Sequence, residues 1–104
     1  MATRLIALYN QPQDPPAFDA HYRDVHGPIV RRDPGLRELR LTSPASLGSR
    51  PPRYHLMAEM FFDSRADLDA ALKSDAGTES GRDLGNFAQA VVELFVAEDG
   101  PPYA

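Results

Sequence analysis

The chain has no cysteine among its 104 residues. That excludes disulfides, a thiolate nucleophile and any cysteine-ligated metal. It also has no basic run: eleven Lys and Arg stand against fifteen Asp and Glu, a formal charge of -4. With no interleaving of aromatic and basic residues either, a nucleic-acid partner is not expected. Long apolar runs are missing too. The opening MATRLIALYN carries only a short one, ending in polar residues and Pro12, too short for a signal-peptide core or a membrane span. It reads as a strand, and a soluble, cytoplasmic protein with no membrane partner is expected. No glycine-rich phosphate loop, nucleophile elbow or flavin fingerprint occurs. No cofactor is expected, so any chemistry falls to acid-base groups in an apolar pocket.

What is present is an ordinary globular composition, 42% hydrophobic and 25% charged, in a chain suited to one domain over residues 1–104. Arg4 to Tyr9 is an apolar run without helical period, cut off by the loop Gln11-Pro12-Gln13-Asp14-Pro15, and reads as strand one. Asp14 is positioned to cap a helix from Pro16 to Arg32, with proline tolerated in its first turn. Phe18, Tyr22, Val25 and Ile29 recur there at three- and four-residue steps and share a face. At about 100° per residue, His21 and His26 straddle that stripe roughly 140° apart. His26-Gly27-Pro28 then interrupts the helix, because Pro28 has no N–H and disfavours α geometry at Gly27. Asp33-Pro34-Gly35 stops it.

Leu36 to Thr42 alternates as strand two, and Ser43 to Arg53 reads as a loop. Tyr54 to Phe62 is an apolar strand three. Asp63-Ser64 offers an N-cap for a helix from Arg65 to Ser74, with Leu68, Ala71 and Leu72 on one face. Gly77 to Gly85 is polar and punctuated by glycine, with at most a short helical turn at Arg82-Asp83-Leu84. Gln89 to Val96 is strand four, and Gly100-Pro101-Pro102 leads into an extended tail. Two strand-helix-strand units of this kind build an α+β, ferredoxin-like β-α-β-β-α-β fold, a four-stranded antiparallel sheet with two helices on one face. Neither sheet face is polar, whichever the helices leave uncovered. Tyr54, Leu56, Ala58, Met60 and Phe62 share one side of strand three and His55, Met57, Glu59 and Phe61 the other. Val92, Leu94 and Val96 oppose Val91, Glu93 and Phe95 on strand four. Such a face needs burial, and stacking on a second copy to form a homodimer is the simplest means.

The helix FDAHYRDVHGPIVRR, closing on Pro34-Gly35-Leu36 and the strand Arg37 to Thr42, resembles the EthD family. The strand ending Tyr9-Asn10 and the helix residues Phe18 and Tyr22 fit as well. The resemblance implies a dimeric α/β barrel and a role in small-molecule metabolism. Family members are associated with ether degradation, oxidoreductase activity and the tailoring of aromatic polyketides. Relatives of the fold include cofactor-independent monooxygenases, lactone isomerases and cyclases. The family histidine before a proline corresponds to His26 alone.

His26 therefore has two readings: a general acid or base titrating near neutrality, or a brace holding the kink. His21 reads as an exposed residue at the helix border. A metal site built from both is not expected, since their five-residue separation does not match the three or four residues of helical ligand pairs. His55 and Glu59 share a face of strand three but lie about 13 Å apart along it. A buried Glu59 or Glu93 would have a raised pKa or would pair with Arg4 or Arg37 across the dimer interface. Arg31-Arg32 suits the helix dipole. Tyr9, Tyr22 and Met60 are the expected walls of a pocket for a small apolar or aromatic ligand. The rivals to an enzyme are a non-catalytic ligand-binding or accessory protein of a catabolic pathway and a purely structural dimer module.

Overall fold

In the computed structural model, which describes residues 3–100, the N-terminal apolar run forms β1 (Thr3–Asn10). It runs between β3 (Tyr54–Phe62) and β4 (Val92–Glu98), while β2 (Glu38–Thr42) flanks β3. The order is β2-β3-β1-β4 with every pairing antiparallel, the ferredoxin-like sheet. Register divides the side chains cleanly. Ala7 stands opposite Ala58 and Leu94, and Leu5 opposite Met60 and Val96. These residues face two helical layers, where Tyr9, Phe18, Tyr22, Phe62 and Leu68 complete the core. Burying Leu68 fully contributes about 2 kcal/mol.

The first layer starts as the local chemistry dictates. Asp14 Oδ1 accepts from the Ala17 N–H at 3.2 Å, with Pro15 and Pro16 in the first turn of α1 (Pro15–His21). A π-helical segment, Tyr22–His26, follows, and then α2 (Gly27–Val30). The Gly27 N–H reaches back five residues to the Tyr22 carbonyl. Pro28 explains this: it has no N–H to offer Asp24 and its ring crowds that carbonyl, so the helix takes in one extra residue. The insertion rotates everything after Tyr22. Val25, expected in the apolar stripe, is 41% exposed, and His26 is buried in its place. Gly35, at φ 78°, makes the turn into β2.

In the same turn Asp33 Oδ1 is buried without a hydrogen-bond partner, and burial raises its carboxyl from 3.8 to about 6. The folded state thus holds this proton more tightly than the unfolded chain. Its stabilising contribution is full below about pH 4 and is lost as pH rises through about 6. Asp33→Asn is therefore expected to stabilise the protein by about 1 kcal/mol at pH 7, after allowance for partial exposure, and by nearly nothing at pH 4. Denaturant titrations at the two pH values check this, and equal effects at both would refute it.

The second layer departs from the sequence expectation. After α3 (Arg65–Lys73), capped by Ser64 Oγ on the Asp67 N–H, residues 75–87 are one thirteen-residue helix, α4 (Asp75–Phe87). Ser74 joins the two: its Oγ donates to the Ala71 carbonyl and accepts from the Gly77 N–H. A Cβ on Gly77 would collide with that same carbonyl, so the close approach of α4 to α3 needs glycine there. Leu72, expected on the buried face of α3, is 48% exposed. Strand four starts later than its apolar run. Residues 88–91 form a turn in which the Val91 N–H donates to the Ala88 carbonyl, and Val91 packs on the core. The expected tail beyond Gly100 lies outside the described residues.

The other sheet face carries Ile6, Leu8, Met57, Phe61 and Phe95. Arg4 crosses it to Glu59 at 3.2 Å, the pairing foreseen for that carboxylate but made within one chain. Arg37 pairs instead with Asp63, and Glu93 is exposed. Among the described residues no helix is long and apolar enough to cross a membrane.

Candidate functional site

The extra residue in the π segment gives positions 21 and 26 the relationship that i and i+4 have in an α-helix, so both imidazoles turn toward α4. Asp83 meets them there. His21 Nε2 lies 2.9 and 3.0 Å from its two carboxylate oxygens, and His26 Nδ1 is 2.9 Å from Oδ2. Asn86 Nδ2 donates to Oδ1 at 3.3 Å. His26 is 3% exposed and Asp83 5%, whereas the His21 side chain remains 29% exposed. Phe87 packs against both imidazoles, with centroids 4.5 Å from His21 and 5.0 Å from His26.

Burial alone would raise the Asp83 carboxyl, but the hydrogen bonds from His21, His26 and Asn86 outweigh it, and the group sits below its ordinary value. An ionised carboxylate only accepts, so each ring nitrogen facing it carries a proton. Burial is also the main influence on His26 and lowers its pKa, against an opposing pull from Asp83. The ring is therefore neutral at pH 7, with Nδ1–H on Asp83 and a lone pair on Nε2.

His26, Tyr9, Tyr22 and Met60 line one cavity of about 80 Å³, closed on the far side by Ser80 and Leu84 of α4. Leu72 and Leu94 also line it and are about half exposed, so they connect it to solvent. Burial pushes the Tyr22 hydroxyl up to about 12 and Tyr9 further still. Both stay protonated and able to donate, and no described residue accepts from either hydroxyl.

His21 is thus not the free border residue its 140° separation from His26 implied; it shares the carboxylate. His55 also differs from expectation. The β1–β3 ladder passes from Tyr9↔Leu56 to Asn10↔Tyr54 and skips it. This bulge turns its ring to the helix side, against Phe18 and 2.7 Å from Asp19 Oδ1, away from the face of Glu59. Arg32 ties the first helical layer to Glu79 of α4 at 2.8 Å. Asp83 and Phe87 were missed as site residues. Their place in a helical series with Ala76 and Ser80, at steps of four, three and four residues, is the one signal of a shared helix face. Among the described residues no group of three or more acidic or histidine side chains is arranged to hold a metal ion.

Residues 10–90 match the EthD domain. An uncharacterised 11.0 kDa protein from the thcB–thcC intergenic region of Rhodococcus erythropolis is 32% identical over 96 residues, 92% of this chain and 93% of that one. The crystal structure of an EthD family protein from Bacillus halodurans superposes with a TM-score of 0.91 at 38% identity, covering 96% of this chain and 100% of that one. Two further structures share the fold alone. One is a dimeric ferredoxin-like protein from Jannaschia, at 17% identity and a TM-score of 0.66 over 94% of this chain and 98% of that one. The other is SnoaB, a cofactor-independent oxygenase from Streptomyces nogalater, at 16% and 0.61 over 97% and 96%.

Proposed function

The chain belongs to the EthD family, and from that premise we propose that it is a small-molecule enzyme. It would act without a cofactor on a small apolar or aromatic substrate, as an oxidoreductase of the monooxygenase kind or as a lyase or isomerase. His26 is its acid-base group. The observation that carries this reading is the buried His26–Asp83 hydrogen bond at the wall of a largely apolar cavity. With Nδ1–H held by Asp83, the neutral ring offers Nε2 to a substrate proton, and the imidazolium formed is stabilised by the carboxylate beside it. Tyr9 and Tyr22 supply hydroxyl donors for the negative charge left on the substrate, and Met60 an apolar wall. A cavity of about 80 Å³ takes only the reactive end of a ligand, whose body would lie across Leu72 and Leu94.

The same reading makes the protein a homodimer that stacks its open sheet faces. Phe95 is 44% exposed on that face with the half-buried Leu8 and Phe61 on the same side, and dimeric proteins share this fold.

The test is an assay of the purified protein against small aromatic and alicyclic substrates in air, with oxygen uptake and product mass followed together. Product formed by the wild type and lost in His26→Ala supports the enzyme. Saturable binding without product in any case would point instead to a carrier or accessory protein.

A further inference from the structure

A second concavity shares no lining residue with the cavity of His26. It is a groove of about 600 Å³ between the start of α1, the end of α4 and the turn at residues 88–91. Ala17, Phe18, Phe87 and Val91 give it apolar walls, and His21 lines it. We propose that this groove is a binding site for a neutral phenol, whose hydroxyl donates to Nδ1 of His21.

Size comes first. Ligand sites usually enclose a few hundred Å³ or more, which the groove does and the inner cavity does not. The polar group then selects the chemistry. Nε2 of His21 is committed as a donor to both oxygens of Asp83. In its neutral form the imidazole then presents Nδ1 as a lone pair, which no described residue satisfies, and which asks for a ligand that donates. The walls select the framework. The Phe87 ring lies 4.5 Å from His21 at a tilt of 31°, and Phe18 lies 5.2 Å from Phe87, an aromatic lining on which a flat ring stacks. Charge removes the alternatives. Asp83 stands directly behind His21 and Asp14 also lines the groove, so a carboxylate or phenolate would meet repulsion where a neutral hydroxyl does not.

The experiment is an amide NMR titration at pH 8 with phenol, anisole and benzoate. Phenol is expected to shift the groove amides of Ala17, Gln89 and Ala90 saturably. It should bind about fivefold more tightly than anisole, the difference one neutral hydrogen bond makes, and benzoate should leave them unmoved. In His21→Ala, phenol and anisole should bind equally. Because that change also takes a partner from Asp83, Ala17→Leu provides a second variant: it fills the groove, leaves the histidines alone and should block both ligands. Equal affinity for phenol and anisole in the wild type, shifts centred on Met60 and Leu84, or binding that survives Ala17→Leu would each overturn the proposal. Since the readout is binding, this result is independent of whether His26 supports turnover.

Discussion

His26→Ala is expected to lower turnover by a factor of about 100 to 10,000, the range over which a positioned acid-base group contributes. The geometry makes this a clean test. Removing the ring does not strand Asp83, which keeps the His21 bond at 2.9 Å and the Asn86 bond at 3.3 Å. The stability cost should therefore stay near that of one hydrogen bond and a small void, about 1–3 kcal/mol, and the dimer should persist. If His26 were only a brace for the π segment, the same substitution would cost that stability and leave both turnover and ligand affinity nearly intact. Turnover within threefold of wild type in a folded His26→Ala protein would end the acid-base role. His21→Ala is not an inert control, because it also takes a partner from Asp83. A smaller loss of turnover is expected from it, through the orientation of His26 rather than through contact with the reactive end of the substrate.

The second large effect concerns assembly. Phe95 is 44% exposed on the face of the sheet that carries Ile6 and Glu59. If that face stacks on its copy, Phe95→Glu places two carboxylates in an apolar interface, at a cost of several kcal/mol that a dimer of ordinary affinity does not survive. Sedimentation at micromolar concentration should show dimers for the wild type and monomers or aggregates for the variant. Val91→Glu is the informative contrast. Strand alternation puts Val91 on the same side as Phe95, but it lies in the turn before β4 and packs on the core. It should lower thermal stability without specifically dissociating the dimer. A well-folded wild-type monomer at those concentrations would remove the sheet-stacking reading.

The amino-acid sequence by itself determined every element whose information is local. The limits of β3 follow from its apolar run, the starts of α1 and α3 from Asp14 and Ser64, and the break before Pro28 from a missing N–H. The ferredoxin-like order follows from the sequence of elements, and membership of the family could be recognised from the helix and the turn after it. What lay outside local reach was decided by packing. Glycines at 77, 81 and 85 argue against a helix on propensity alone, yet the Ser74 cap and burial of one face against α3 and the first layer hold α4 in place. The form of the break was equally hidden. A kink and an inserted residue both satisfy Pro28, but only the insertion turns His21 and His26 to the same side. Asp83 then reaches His26 across 57 residues of chain and His21 across 62. No periodicity within either helix records that meeting, because the packing of one helical layer against the other brings the carboxylate to the two rings.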